Sequence, residues 1–143
     1  MKLRRYRRDA AQDSTLPIMD NSGANLICVS DLHINSTVAL SPPVVNLDDG
    51  GTYHASRGQR WLWECWLDFT ERVTGLPGRK VLLINGDMGE LDTKRRSNQL
   101  ITVNKANIQR LVLDTLEPLV TAVDSLIVIR GTMAHTGKAQ RCC

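Results

Sequence analysis

The sequence has no apolar run near the roughly 20 residues that a membrane-spanning helix needs. It also has no C-x-x-C pair, and no G-x-G-x-x-G follows its first apolar segment. The first absence argues against a membrane span. The second removes the common zinc frameworks, and the third removes the dinucleotide-binding fingerprint. The opening MKLRRYRR resembles the charged n-region of an export signal, but the polar DAAQDST follows it where an apolar h-region belongs. A cytoplasmic location is therefore expected. No internal repeat or low-complexity segment appears. The cysteines also fail to form a framework. Cys28 and Cys65 sit among apolar residues and are expected as small core hydrophobes. Cys142 and Cys143 are adjacent, a spacing that bridges only with strain, and a reducing compartment follows.

What is present fits one soluble domain. A chain of 143 residues can bury well over half of its unfolded surface. Its 42% hydrophobic and 23% charged residues are ordinary for a globular protein. The net charge of +3 belongs to one end: Lys2, Arg4, Arg5, Arg7 and Arg8 supply five positive charges. Without them the balance is slightly acidic. The basic segment reads as a short solvated tail, with phosphate contacts to nucleic acid as the alternative.

Residues 1–24 are polar and broken by Pro17, Asn21, Ser22 and Gly23, so they read as a flexible lead-in to a domain over 25–143. Three short apolar runs follow: LICVS (26–30), KVLLIN (80–85) and LIVIR (126–130). They are β-branched and almost continuous in hydrophobicity, the pattern of strands buried on both faces of a parallel sheet. Two helical patterns separate them. Over Arg57–Val73, Leu62, Trp66, Phe69 and Val73 share one face, and Trp61, Trp63 and Cys65 widen it, which predicts a helix packed on more than one side. From Asn104 to Val123 a stripe runs through Ile108, Leu111, Val112, Thr115, Leu116 and Leu119, with Pro118 expected to kink the helix or start a new turn. Strand, helix, strand, helix, strand with right-handed crossovers makes an α/β fold with a parallel βαβαβ core.

In such sheets ligands bind beyond the carboxyl ends of the strands. Each run here ends in a polar cluster at that edge. Asp31 and His33 follow the first, Asp87 follows the second in INGDMGE, and Thr132 and His135 follow the third in IRGTMAHTG. On an extended segment Asp31 and His33, two apart, point the same way and can bind one ion. Asp87 could join that ion to a second one, and a pair of ions can clamp a phosphate and activate a water. Carboxylate and imidazole ligation suits Mn, Fe, Zn or Co. Gly86 and Gly131 stand where the backbone must turn or approach a ligand closely.

The motifs SDLH, NGD and RGTMAH, on these strand ends, resemble the calcineurin-like metallophosphoesterases, whose signature runs D-x-H, G-D-x-x-[DE] and G-N-H-[DE]. The longer context looks most like an uncharacterised branch of that family found in phages and bacteria, and the resemblance covers about residues 25–138. It implies two divalent cations, with Asp31 and His33 on the first and Asp87 bridging both. It makes Glu90, the acid of the second motif, a partly structural residue. Thr132 stands where the family has a ligating Asn, and His135 becomes the donor of a proton to the leaving group. Asn85 is expected as a strand-end hydrogen bonder rather than a ligand, and His54, in GGTYHAS, as a loop histidine near the cleft.

The implied activity is hydrolysis of a phosphomonoester or phosphodiester. The family's downstream G-H and G-H-x-H elements are not found before Cys143. The expectation is therefore an incomplete half of the two-sheet sandwich, with a sheet face or edge in need of a partner. Two alternatives stay open: a binding or assembly module that keeps the fold without the full site, and a nuclease-like phosphodiesterase that uses the basic tail. The sequence is silent on the oligomeric state.

Overall fold

The computed structural model describes residues 23–91 and 99–132. Its elements in chain order are β1 (Asn25–Val29), β2 (Val44–Asn46), β3 (Thr52–His54), α1 (Arg57–Thr74), β4 (Lys80–Asn85), α2 (Lys105–Thr121) and β5 (Ser125–Ile129). The three apolar runs form a parallel sheet in the order β1-β4-β5. Ile27 pairs with Leu82 and Leu82 with Leu126, so side chains in those rows lie on the same face.

The strand order explains what the helices cover. Both crossovers step in the same direction across the sheet, so right-handed connections place α1 and α2 on one face. There Ile27, Leu82 and Ile84 meet Trp66 and Val73 from α1 and Leu111, Leu116 and Leu119 from α2. The Trp66 indole donates to the Thr115 carbonyl at 3.1 Å, joining the helices inside this layer.

No described element covers the opposite face, which departs from the expectation of strands buried on both sides. Leu26 is 67% exposed and Ile127 50% exposed, and Cys28 is exposed with them. Edge strand β5 is only partly covered even on the helix side, where Leu126 and Val128 remain exposed. Helix α1 likewise packs on one side. Trp66 and Val73 are buried and Leu62, Trp63 and Phe69 partly so, whereas Trp61 and Cys65 face outward. Neither described cysteine is therefore a core residue. Helix α2 begins at its cap Asn104, whose side chain accepts from Ala106 and Asn107, and continues through Pro118 to Thr121.

The antiparallel hairpin β2–β3 is an addition to the expected order. Its turn contains Asp48, Asp49, Gly50 and Gly51, with Gly50 at φ 83°. His54 closes β3 opposite Val44, so it is a strand residue rather than part of a loop. The hairpin is fastened to α2 by Arg110, which donates to the Asn46 carbonyl at 2.9 Å and to Asp48 at 3.2 Å.

Gln59, only 1% exposed, ties the segment after β1 to the start of α1. Its amide donates to the carbonyls of Ser36 and Ala39, each at 3.1 Å. Its oxygen accepts from the Tyr53 hydroxyl and from the amide of the cap residue Ser56. With Ser56 accepting from the Gln59 amide, these residues make a capping box.

The one-sided core predicts unequal costs for similar truncations. Leu82→Ala, at a fully buried position, should lose about 2–5 kcal/mol. Leu126→Ala, in the same row but 45% exposed, should lose less than half as much. Urea unfolding followed by circular dichroism checks the difference.

Candidate metal centre

The carboxyl end of the sheet is built by backbone pairing that continues past the strands. The His33 amide donates to the Asp87 carbonyl at 3.0 Å, Ile34 to Met88 at 3.1 Å, and Glu90 to Ile34 at 2.8 Å. These bonds hold the segment after β1 alongside the segment after β4. On its other side, Thr37 donates to Gln99 and Ile101 to Asn35.

Within this frame the chain departs from the extended path expected for Asp31 and His33. Asp31 has φ 54°, His33 44°, Asn35 88° and Asp87 41°, and these are the only non-glycine residues with positive φ among those described. Asp, Asn and His tolerate this left-handed region better than other non-glycine residues. Even so, such conformations cost of order 1–3 kcal/mol each and cluster at functional sites. The alternation at 31, 33 and 35 still brings the first two side chains together, with His33 Nε2 3.8 Å from Asp31 Oδ1. Leu32, between them, packs against the core.

Asp31, His33 and Asp87 each offer one ligand atom, and the three atoms lie within 4.8 Å of one another. That spacing is of the order a shared ion sets, since two atoms each about 2.0–2.2 Å from one ion stand at most about 4.4 Å apart. Asp31 is exposed, His33 half-buried and Asp87 buried, so the group opens to solvent on one side.

Neighbouring groups orient these side chains. His33 Nδ1 lies 2.9 Å from Glu90 Oε2. An ionised carboxylate only accepts, so Nδ1 carries the hydrogen and Nε2 is the ring nitrogen on the side of Asp31. Glu90 therefore touches the group through His33. Asn35, fully buried, was not singled out in the sequence. Its amide donates to the carbonyls of Glu90 and Thr102, each at 3.0 Å, and its oxygen accepts from the Thr102 amide at 3.1 Å. The only hint of this role was its position two residues beyond His33.

Thr132 meets Asp87 directly. Its amide donates to Asp87 Oδ1 at 2.8 Å, and its hydroxyl lies 3.3 and 3.4 Å from the two carboxylate oxygens. Thr132 thus positions the carboxylate of a candidate ligand. Gly131 is obligatory here, since a Cβ would fall on the Asp87 carboxylate and amide nitrogen. Gly86, at φ 78°, faces it, and a Cβ there would come 3.0 Å from Gly131 Cα. Asn85 is exposed at the end of β4. His135, the basic segment Lys2–Arg8, Cys142 and Cys143 lie outside the described residues.

No protein-family model, curated protein or solved structure matches the chain. The geometry of the site therefore carries the functional reading.

Two substitutions probe the frame and the orienting acid separately. Gly131→Ala should displace Asp87 and abolish Mn²⁺ binding in calorimetry. Glu90→Gln should leave the fold intact and weaken Mn²⁺ binding about 10–100-fold, as expected when a ligand loses its orienting partner.

Proposed function

We propose that this chain is a metal-dependent phosphoesterase domain that hydrolyses a phosphomonoester or phosphodiester. The observation that carries the proposal is the convergence of Asp31, His33 and Asp87 from two strand ends. The coincidence of three of the four left-handed non-glycine residues with these ligands supports it. The motif resemblance to calcineurin-like metallophosphoesterases supplies the reaction class. It also supplies the finer fold reading, a calcineurin-like sandwich.

Asp31, His33 and Asp87 would hold the first divalent cation, with Mn, Fe, Zn or Co suited to the donor set. Such a cation supplies Lewis acidity for a phosphoryl oxygen and lowers the pKa of a bound water. The protein's own part is to fix this geometry. Glu90 keeps His33 in the tautomer that presents Nε2, and the Thr132 amide keeps the Asp87 carboxylate turned inward. Exposure of Asp31 leaves a path for substrate. In this reading His135 donates the leaving-group proton. A second cation would share Asp87, with its further ligands supplied from outside the described residues.

A non-catalytic module that keeps the fold is separated from this reading by metal affinity. The proposal expects saturable Mn²⁺ or Zn²⁺ binding in calorimetry and Mn²⁺-dependent release of nitrophenol from bis(4-nitrophenyl) phosphate. Asp87→Asn should remove both. Equal hydrolysis by wild type and Asp87→Asn overturns the assignment, and absence of metal binding favours the module.

No helix of the described residues is long and apolar enough to cross a membrane. Contact with nucleic acid through Lys2–Arg8 remains a secondary reading, tested by the salt dependence of DNA binding with and without residues 1–8.

A further inference from the structure

Beside the metal-ligand group lies a second feature that the reaction class does not explain. A cavity of about 320 Å³ separates the segment after β1 from α1, and Asp31 is one of its lining residues. Asp31 is therefore common to the cavity and to the group of candidate ligands. Elsewhere the lining is apolar, with Leu40 on the loop side and Leu62, Trp66 and Phe69 on the helix side.

The chemistry of this lining restricts what the cavity can receive. An apolar cavity of about 150 Å³ is enough to hold a benzene molecule, so this one has room for a ring or a short alkyl chain. Among the described lining side chains there is no amide or hydroxyl group, and the Trp66 N–H is already donated to Thr115. A nucleobase would leave its hydrogen-bonding edge unmatched against such walls, at a cost in binding. A hydrocarbon group would leave nothing unmatched.

We infer that this cavity receives the apolar alcohol portion of the substrate, making the preferred ester an aryl or alkyl phosphate rather than a nucleotide. The inference rests on the phosphoesterase reading, because that reading places the phosphate at Asp31, His33 and Asp87. Asp31 then marks the junction between the two parts of the substrate. The loop that carries Leu40 is pinned to α1 through Gln59, which keeps the cavity walls in register before substrate arrives.

Calorimetric titration of the full chain in Mn²⁺ with phenylphosphonate and methylphosphonate tests this without requiring turnover. Phenylphosphonate should bind about tenfold or more tightly, the usual consequence of burying a ring. Leu62→Asn, which adds a polar group but no charge, should erase that preference and leave methylphosphonate binding unchanged. Cys65→Phe, which adds a ring from an exposed position on α1, should fill the cavity and do the same without adding a polar group. Circular dichroism confirms that each variant is folded. Equal affinity for the two phosphonates, or a preference that survives in both folded variants, overturns the cavity assignment and leaves the phosphoesterase reading standing. Failure of both phosphonates to bind in Mn²⁺ overturns that reading, and the inference falls with it.

Discussion

A buried carboxylate must find donors or positive charge, because its desolvation otherwise costs several kcal/mol. Asp87 imposes that requirement on the whole carboxyl edge of the sheet. Its partner is the Thr132 amide, which arrives from the neighbouring strand end. That approach is close enough to require glycine at 131, and glycine at 86 gives the facing backbone room. The same segment gives its Asp87 carbonyl to His33, so one short stretch joins all three strand ends. A cation among Asp31, His33 and Asp87 would satisfy the carboxylate further, which relates the ligand to the local architecture.

The strained backbone belongs to this arrangement. A regular strand continuing past Val29 would carry Asp31 and His33 away as the sheet twists. Left-handed turns at alternate positions keep the segment close to Asp87–Glu90 while Leu32 and Ile34 still reach the core. Asn35 stabilises the turn by three hydrogen bonds that reach Glu90 and Thr102. Gln59 secures the other end of the loop. The candidate site thus stands on a frame whose bonds are mostly backbone or buried.

Much of this was legible because hydrophobic period and strand-end polarity are local signals. KVLLIN gave β4 its exact bounds, and the helix stripes placed α1 and α2 within one or two residues. The hairpin β2–β3 was harder, since three-residue strands are too short to show a period, although the DDGG turn stood between them. Coverage of the sheet was misread for a different reason. LICVS and LIVIR look alike whether one face or both are buried, and only the strand order reveals that both helices lie on the same side. Cys28 and Cys65 followed that error, being placed inward by their apolar neighbours alone. At the site, the meeting of Asp31, His33 and Asp87 was foreseeable from strand-end logic. The left-handed backbone that achieves it was not, because Asp, His and Asn are also common in extended chain.

The position of β4 has a consequence for the order of events during folding. It is the central strand in space, yet 50 residues of chain separate its start from the end of β1. Asp31 and His33 are therefore synthesised long before the strand that gives them a partner, and Thr132 is later still. No local segment can preorganise the candidate site. Its assembly waits on the sheet, and any ion it binds would act as a late reporter of completed β1–β4–β5 pairing rather than as a seed for it.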